Sequence, residues 1–215
     1  MELILASSSP QRKQILREMG VRFRAMSADI DEHHDGLVRP HAIVKSLALR
    51  KAERISDGYP KAWVLGCDTL IVLSNGEIAL KPKNRADAKR TLLLYRNSHC
   101  DVVSGLALMN RAKGVSRVRY EKTRLWFREF TEADVERYLD TGEWKGCSGS
   151  MTIEGRAGEW IVRRKGGYWN VVGLPVDLAR WFLISAGHVV RGRQVAGWPA
   201  PKKIPEPPIF KSDNK

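Results

Sequence analysis

Apolar and polar positions follow two different periods along the chain, and the pattern predicts strands and helices in turn. Strands are predicted at residues 2–6, 21–28, 62–73, 77–80, 101–109, 116–130 and 159–163. Helices are predicted at residues 11–19, 40–56, 85–96, 131–139 and 176–185. Because strands and helices interleave throughout, the pattern predicts an α/β fold with mixed sheets.

Local signals mark several boundaries of these elements. Asn75-Gly76 predicts a hairpin turn between strands 62–73 and 77–80. The run Thr131–Asp134 has the outline of a capping box at the start of a helix. The run Ser7–Pro10 predicts a capped helix N-terminus after the first strand. Such an end either binds a phosphate through its backbone N–H groups or is an ordinary capped helix.

The last 28 residues, His188 to Lys215, differ in composition from the rest of the chain. Five of the ten prolines lie between Pro199 and Pro208. The segment also contains six Lys and Arg residues but only two acidic residues. We therefore expect one domain over residues 1–187. A basic, Pro-rich tail over residues 188–215 is expected to be extended or disordered.

Charge and cysteine usage limit the partners and the compartment. The chain has 37 Lys and Arg residues against 24 Asp and Glu residues, a formal net charge of +13. This excess favours an anionic partner, which is a nucleic acid, a membrane surface or a polyphosphate. Three scattered cysteines, no basic leader and no apolar run of roughly 18–20 residues predict a cytoplasmic protein outside the membrane.

A few charged residues stand where charge is unexpected. Asp68 interrupts an apolar strand, so its carboxylate must be paired, bind a metal or face a cleft. Lys51 lies on the apolar face of helix 40–56, and Lys81 follows the hairpin. Near a buried acid, two such lysines would form a polyphosphate clamp, whereas each alone would extend to solvent. The acidic loop 29–35 offers carboxylates for Mg²⁺, and its adjacent histidines, His33 and His34, are expected in solvent.

Three tryptophans frame the Gly-rich segment 142–158. They are Trp144, Trp160 and Trp169. Their rings either stack on a base or pack in the core, and packing is the more frequent role of a tryptophan in such a region.

Seven segments of the chain, in this order, resemble the Maf family of nucleoside triphosphate pyrophosphatases over about residues 3–187. The segments are Leu-Ile-Leu-Ala-Ser-Ser-Ser-Pro-Gln-Arg-Lys, Asp-Ile-Asp-Glu, Ala-Leu-Arg-Lys-Ala, Gly-Cys-Asp-Thr-Leu-Ile, Leu-Lys-Pro, Val-Val-Ser-Gly-Leu-Ala-Leu and Gly-Tyr-Trp-Asn-Val-Val-Gly-Leu-Pro. The resemblance implies a two-lobed α/β fold with a central cleft, similar to inosine triphosphate pyrophosphatase. It also implies hydrolysis of a nucleoside triphosphate to a monophosphate and pyrophosphate with Mg²⁺ or Mn²⁺.

The resemblance assigns roles to residues that match the family's motifs. Asp68 matches the proton acceptor, and Glu32 matches the acidic motif, so both are expected to hold the metal. Arg12, Lys51 and Lys81 match positions that handle phosphate, and Ser7 matches the first serine of the opening loop. Because relatives are often dimeric, a homodimer is one expectation, with the nucleotide as the main partner.

Base choice in the family is associated with three positions, and here they disagree. Thr69 resembles the dTTP/UTP group, Glu154 resembles the 7-methyl-GTP group, and Gln11 matches neither. A carboxylate accepts hydrogen bonds from the guanine edge but cannot donate to O4 of uracil or thymine. We therefore expect a 7-methyl-GTP-like base, with dTTP, UTP or CTP as the alternative.

Two other functions stay open at this point. One is a non-catalytic protein that binds nucleic acid through its basic tail, although no nucleic-acid-binding motif supports it. The other is regulation of septation by protein contact, which is compatible with enzyme activity.

Overall fold

The computed structural model describes residues 1–33, 36 and 38–191. The strands are β1 (Leu3–Ala6), β2 (Arg24–Met26), β3 (Trp63–Leu73), β4 (His99–Asn110), β5 (Val115–Phe127) and β6 (Ile161–Lys165). The helices are α1 (Pro10–Glu18), α2 (Pro40–Ser56), α3 (Arg85–Leu93), α4 (Glu132–Thr141), α5 (Tyr168–Val172) and α6 (Val176–Ser185). Two 3₁₀ turns lie at Ser148–Ser150 and Arg156–Trp160. Most of the predicted tail, residues 192–215, lies outside the described residues, as do His34 and Asp35.

The six strands form one mixed sheet in the order β2-β1-β3-β4-β5-β6 within the described residues. β2, β1 and β3 are parallel because α1 and α2 carry the chain back between them. From β3 to β6 the pairs are antiparallel. The predicted α/β class with mixed strand directions is confirmed.

The core has three parts, and two of them lie at opposite ends of the long strands. One part, the α3–α4 core, contains Tyr95, Phe127 and Trp160 together with the buried faces of α3 and α4. Another, the α1–α6 core, gathers Leu16 and Phe182 around β1. A third lies between α2 and the sheet. β3, β4 and β5 run through both ends, which produces the expected two-lobed shape from one sheet.

Helix α2 lies very close to the middle of the sheet, at two glycines. A Cβ atom on Gly66 of β3 would lie 2.1 Å from the carbonyl oxygen of Ala48. A Cβ atom on Gly105 of β4 would lie 2.1 Å from the carbonyl oxygen of Val44. Since both neighbours are helix backbone, no side-chain movement could make room. These glycines therefore set the distance at which α2 packs.

Several predicted boundaries are confirmed. α2 and α6 begin and end at the predicted residues, and in α2 a proline occupies the first turn. The capping box is present: Asp134 N–H donates to Thr131 Oγ1 at 3.1 Å, and Thr131 N–H donates to Asp134 Oδ2 at 2.8 Å.

Other predicted elements are wrong or shorter. The predicted strand 77–80 is reduced to a single bridge between Val72 and Ile78. It ends early because the Leu80 carbonyl accepts a hydrogen bond from Gly149 N–H of the Gly-rich segment, not from a strand. The strand predicted from residue 159 begins at Ile161, after a 3₁₀ turn. The short helix α5 was not predicted, because it is only five residues long and lies between two glycines.

The contact between α2 and the sheet predicts a specific loss of stability. Gly105→Ala places a methyl group against the α2 backbone, so the free energy of unfolding should fall by about 1–3 kcal/mol or more. Gly58→Ala is the matched control, because a Cβ there meets only the Ile55 carbonyl at 3.9 Å. Denaturant unfolding of the three proteins checks this, and equal stability of Gly105→Ala and wild type would contradict the close approach.

Candidate active site

A cleft of about 730 Å³ opens between the α1–α6 core and the α3–α4 core. Its walls come from the loop after β1, the start of α1, the middle of β3, residues 145–148, residues 151–154 and residues 171–173. This volume is typical of sites for small ligands. All nine site residues predicted from the sequence line it, and they are Ser7, Gln11, Arg12, Glu32, Lys51, Asp68, Thr69, Lys81 and Glu154.

Lys51 is held between two carboxylates at the floor of the cleft. Its Nζ lies 2.6 Å from Asp68 Oδ1 and 2.7 Å from Glu32 Oε1. The Lys51 side chain is 13% exposed and that of Asp68 is 8% exposed, whereas Glu32 reaches solvent. The close packing of α2 on β3 brings Lys51 and Asp68 together. Two carboxylates compensate the burial of one ammonium group, which would otherwise be expensive.

Asp68 has one carboxylate oxygen without a partner. Oδ1 accepts the hydrogen bond from Lys51, but the buried Oδ2 has no hydrogen-bond partner among the described residues. An unsatisfied buried oxygen usually marks a place for a ligand, an ion or a water molecule. The sequence predicted that Asp68 is paired, binds a metal or faces a cleft, and the structure shows both the pairing with Lys51 and the position in the cleft.

Opposing effects act on the pKa of the Glu32 carboxyl. Partial burial alone would raise the pKa of Glu32. The hydrogen bond from Lys51 and the positive charges of Lys51, Arg12 and Lys81 outweigh burial and lower the pKa. Glu32 is therefore ionised at neutral pH and available as an oxygen ligand.

Arg12 joins three segments of the cleft wall. Its guanidinium donates to the carbonyl oxygens of Gly173 and Cys67 at 2.9 Å each. It also donates to the hydroxyls of Thr69 at 3.0 Å and Ser7 at 3.3 Å. Four of its five N–H donors are thus in use. Arg12 acts first as a clamp on the protein itself, which the sequence did not reveal.

The opening loop presents the start of α1 to the cleft. Ser9 caps the helix, with Arg12 N–H donating to Ser9 Oγ at 3.4 Å, and Pro10 follows in the first turn. Ser7 Oγ accepts from Ser9 N–H at 3.2 Å. Gln11 is exposed, and its Oε1 accepts from the Ser9 hydroxyl at 3.2 Å. The helix N-terminus predicted to suit phosphate is therefore placed in the cleft.

Two exposed lysines line the cleft opposite the opening loop. Lys81 has no ion-pair partner in the described part of the chain. Lys145 also lines the cleft, although sequence reasoning missed it. Its only signal was its place in the Gly-rich segment, where loop residues are often functional. Both ammonium groups are available to an anionic ligand.

The two other positions linked to base choice differ in their freedom. The Thr69 hydroxyl accepts from Arg12, lies 2.9 Å from Ser104 Oγ and lies 3.5 Å from the Gly173 carbonyl, so it is fully engaged. Glu154 is exposed on the cleft wall. Partial desolvation, with the negative charge of Glu18, raises the pKa of Glu154. Of these two side chains, only Glu154 is thus free to contact a ligand.

Tryptophans and cysteines near the site have structural roles. Trp160 stacks on Phe130 with ring centroids 4.3 Å apart, and Trp144 Nε1–H donates to the Leu139 carbonyl at 2.9 Å. The expected packing role is confirmed for these two rings, since neither lines the cleft. Cys67 is fully buried, and burial raises the pKa of its thiol.

Charged groups of both signs meet in the cleft. Four cationic side chains and four carboxylates line it: Arg12, Lys51, Lys81, Lys145, Asp29, Glu32, Asp68 and Glu154. The described residues contain no group of three or more His, Cys, Asp or Glu side chains arranged to hold a metal ion. Among the four carboxylates, the two predicted metal ligands, Glu32 and Asp68, are the ones that contact Lys51.

None of the helices in the described residues is long and apolar enough to cross a membrane.

Comparison with known proteins agrees with the resemblance seen in the sequence. The family described as Maf-like protein matches residues 2–186. A dTTP/UTP pyrophosphatase of Pelotomaculum thermopropionicum is 39% identical over 175 residues, covering 81% of this chain and 91% of that protein. A dTTP/UTP pyrophosphatase of Symbiobacterium thermophilum is 37% identical over 189 residues, covering 88% and 96%.

A solved structure of a HAM1 protein from Coxiella burnetii is similar at 13% identity with a TM-score of 0.41, covering 59% of this chain and 73% of that one. Because the family match spans nearly the whole described domain, the chain belongs to the Maf-like protein family.

Proposed function

We propose that this protein hydrolyses a nucleoside triphosphate between its α- and β-phosphates, with thymine or uracil as the base. Membership of the Maf-like family makes the chain a hydrolase of the nucleoside triphosphate pyrophosphatase class. The observation that carries the reaction is the buried Asp68, with one oxygen held by Lys51 and the other unpaired in the cleft. The expected preference for a 7-methyl-GTP-like base is not supported, because these relatives are named dTTP/UTP pyrophosphatases.

In this proposal, Asp68 is the base that accepts a proton from the attacking water. The water oxygen bonds to the α-phosphorus while the bond from that phosphorus to the bridging oxygen breaks, and pyrophosphate leaves. Lys51 holds Oδ1, which fixes the carboxylate and leaves Oδ2 as the oxygen that accepts the proton. A base fixed in this way needs no reorganisation at the moment of reaction.

Cations around the phosphates stabilise charge that grows on the leaving pyrophosphate. Lys81 and Lys145 reach the cleft without an ion pair, so they serve this role without first breaking one. Arg12 retains one N–H for a phosphate and otherwise holds Ser7 and Thr69 in place. Its contribution is therefore mainly to the shape of the phosphate site.

Glu32 and Asp68 would hold the expected divalent cation. The fit is supported by the unpaired buried Oδ2 of Asp68 and by carboxylate oxygens, which Mg²⁺ and Mn²⁺ prefer. Each carboxylate oxygen has two lone pairs, so Asp68 can contact a cation and accept a proton. Equal numbers of cations and carboxylates line the cleft, so the protein alone does not offset a triphosphate. When bound, the cation supplies positive charge that polarises phosphoryl oxygens.

The raised pKa of Glu154 extends the pH range over which its carboxyl can donate a hydrogen bond to a pyrimidine base. An ionised carboxylate cannot donate a hydrogen bond to O4, but a protonated carboxyl offers one O–H donor and one acceptor, as an amide does. Desolvation and Glu18 favour this protonated form. Below that raised pKa, Glu154 can donate to O4 of uracil or thymine as a glutamine would.

Replacing Asp68 tests the reaction. Asp68→Asn keeps the shape but removes the base, so release of pyrophosphate from dTTP and UTP should fall by about 10²–10⁴-fold. Pyrophosphate release is measured with Mg²⁺ on a panel of dTTP, UTP, CTP, GTP, ATP and 7-methyl-GTP.

The matched control for this change is Asp101→Asn. Asp101 is also a half-buried carboxylate on the sheet, paired with Lys122 and Arg124, but it does not line the cleft. Its variant should turn over near the wild-type rate. Near-normal turnover by Asp68→Asn would sink its role, and a wild type without metal-dependent pyrophosphate release on the whole panel would sink the proposed function.

Base recognition by Glu154 predicts a pH dependence. The protonated donor form is present below the raised pKa and is lost as pH rises through it, so the kcat/KM ratio of dTTP to 7-methyl-GTP should fall with rising pH. Glu154→Gln should raise this ratio and make it independent of pH in that range. An unchanged ratio in the variant would remove Glu154 from base recognition.

A further inference from the structure

Two consecutive residues between the cleft-lining segments 145–148 and 151–154 adopt the left-handed backbone conformation. Gly149 has φ +73° and Ser150 has φ +62°, and we call this pair the 149–150 corner. A serine in this region is strained, and such strain persists only where the surroundings hold it in place. The corner therefore has to be held by specific contacts.

Buried tyrosine hydroxyls hold both carbonyl groups of the corner. Tyr95 Oη–H donates to the Gly149 carbonyl at 3.1 Å, and Tyr138 Oη–H donates to the Ser150 carbonyl at 3.2 Å. Each ring is itself fixed by a neighbour. Tyr95 stacks on Phe127 with centroids 4.6 Å apart, and Tyr138 meets Trp160 edge-on at 5.4 Å. The α3–α4 core thus determines where the corner lies.

The corner connects the two ends of the cleft. Gly149 N–H donates to the Leu80 carbonyl at 3.1 Å, directly before Lys81 at the phosphate end. From Ser150 the chain continues into residues 151–154, which line the cleft and end at Glu154. A Cβ atom on Gly149 would lie 2.5 Å from Tyr95 Oη and 2.7 Å from Ile71 Cδ1, so only glycine fits there. A shift of the corner would therefore move Glu154 relative to Lys81.

We infer that Tyr138 and Tyr95 are positioning residues for base selectivity, which act through the 149–150 corner by fixing Glu154 against the phosphate site. This inference rests on the proposed function and deepens it. Neither hydroxyl touches the reacting atoms, and both rings would still fill the core as phenylalanine. What the hydroxyls add is the placement of two backbone carbonyls.

Removing single hydroxyls tests this role. Tyr138→Phe should raise KM for dTTP and UTP by about three- to tenfold, which corresponds to the loss of one buried neutral hydrogen bond. We expect kcat to change less than KM, because Asp68 and Lys51 lie on other elements. The kcat/KM ratio of dTTP to 7-methyl-GTP should fall. Tyr95→Phe should act in the same direction, since it frees the adjacent carbonyl.

Tyr120→Phe is the control for this pair of variants. Tyr120 is 47% exposed on β5, and its ring lies against His41, outside the cleft. This variant should keep the wild-type KM values and the wild-type ratio between bases. Thermal unfolding of all three variants verifies that each is folded before its kinetics are compared.

The outcomes separate this inference from the proposed function. An active wild type whose base ratio and KM are unchanged in both Tyr138→Phe and Tyr95→Phe overturns the inference alone. A uniform loss of kcat on every base, at constant ratio, also overturns it. If the wild type releases no pyrophosphate from any nucleotide, the proposed function fails and the inference fails with it.

Discussion

The site depends on how closely α2 packs against the sheet. Gly66 and Gly105 lack side chains where the α2 backbone passes, and larger residues there would meet carbonyl oxygens at 2.1 Å. At this separation the Lys51 ammonium reaches Asp68 Oδ1 at 2.6 Å and still touches Glu32 at 2.7 Å. A wider gap would leave Asp68 as a buried carboxylate without a counter-charge, which is strongly unfavourable. The close approach of α2 to the sheet therefore determines both how the core packs and where Lys51 meets Asp68.

The excess of basic residues has a more modest role than its size indicates. Within the cleft, cations and carboxylates balance in number. Elsewhere, Arg85, Lys89 and Arg124 are paired with acidic side chains on the surface. Exposed pairs of this kind contribute little to stability. In the proposed function, a nucleotide binds through Lys81, Lys145 and the start of α1, so a few placed groups matter more than the net charge of +13.

Much of the fold was predictable because its signals are local. Pro40 fixed the start of α2, and Thr131 with Asp134 fixed that of α4. That Asp68 would need a partner was also predictable, since it is an acid in an apolar strand, although the sequence did not identify Lys51 as that partner. The clamp formed by Arg12 was not, because its acceptors are backbone carbonyls, one of them 161 residues away. A backbone carbonyl carries no sequence signal.

The expectation of a 7-methyl-GTP-like base, which the names of the relatives do not support, depended on the charge assigned to Glu154. Sequence reasoning treated Glu154 as an ionised carboxylate, whereas its protonation depends on desolvation by the folded cleft wall and on Glu18. The same wall depends on the 149–150 corner, whose contacts to Tyr95 and Tyr138 join residues far apart in the chain. In the proposed function, base selectivity is thus a property of the assembled loop.

The proposed reaction depends on attack of water at the α-phosphorus in the cleft around Asp68. Hydrolysis of dTTP in ¹⁸O-labelled water, followed by mass spectrometry of both products, tests this step most directly. We expect one ¹⁸O atom in the nucleoside monophosphate and none in pyrophosphate. Label in pyrophosphate, or release of nucleoside diphosphate with labelled phosphate, would contradict it.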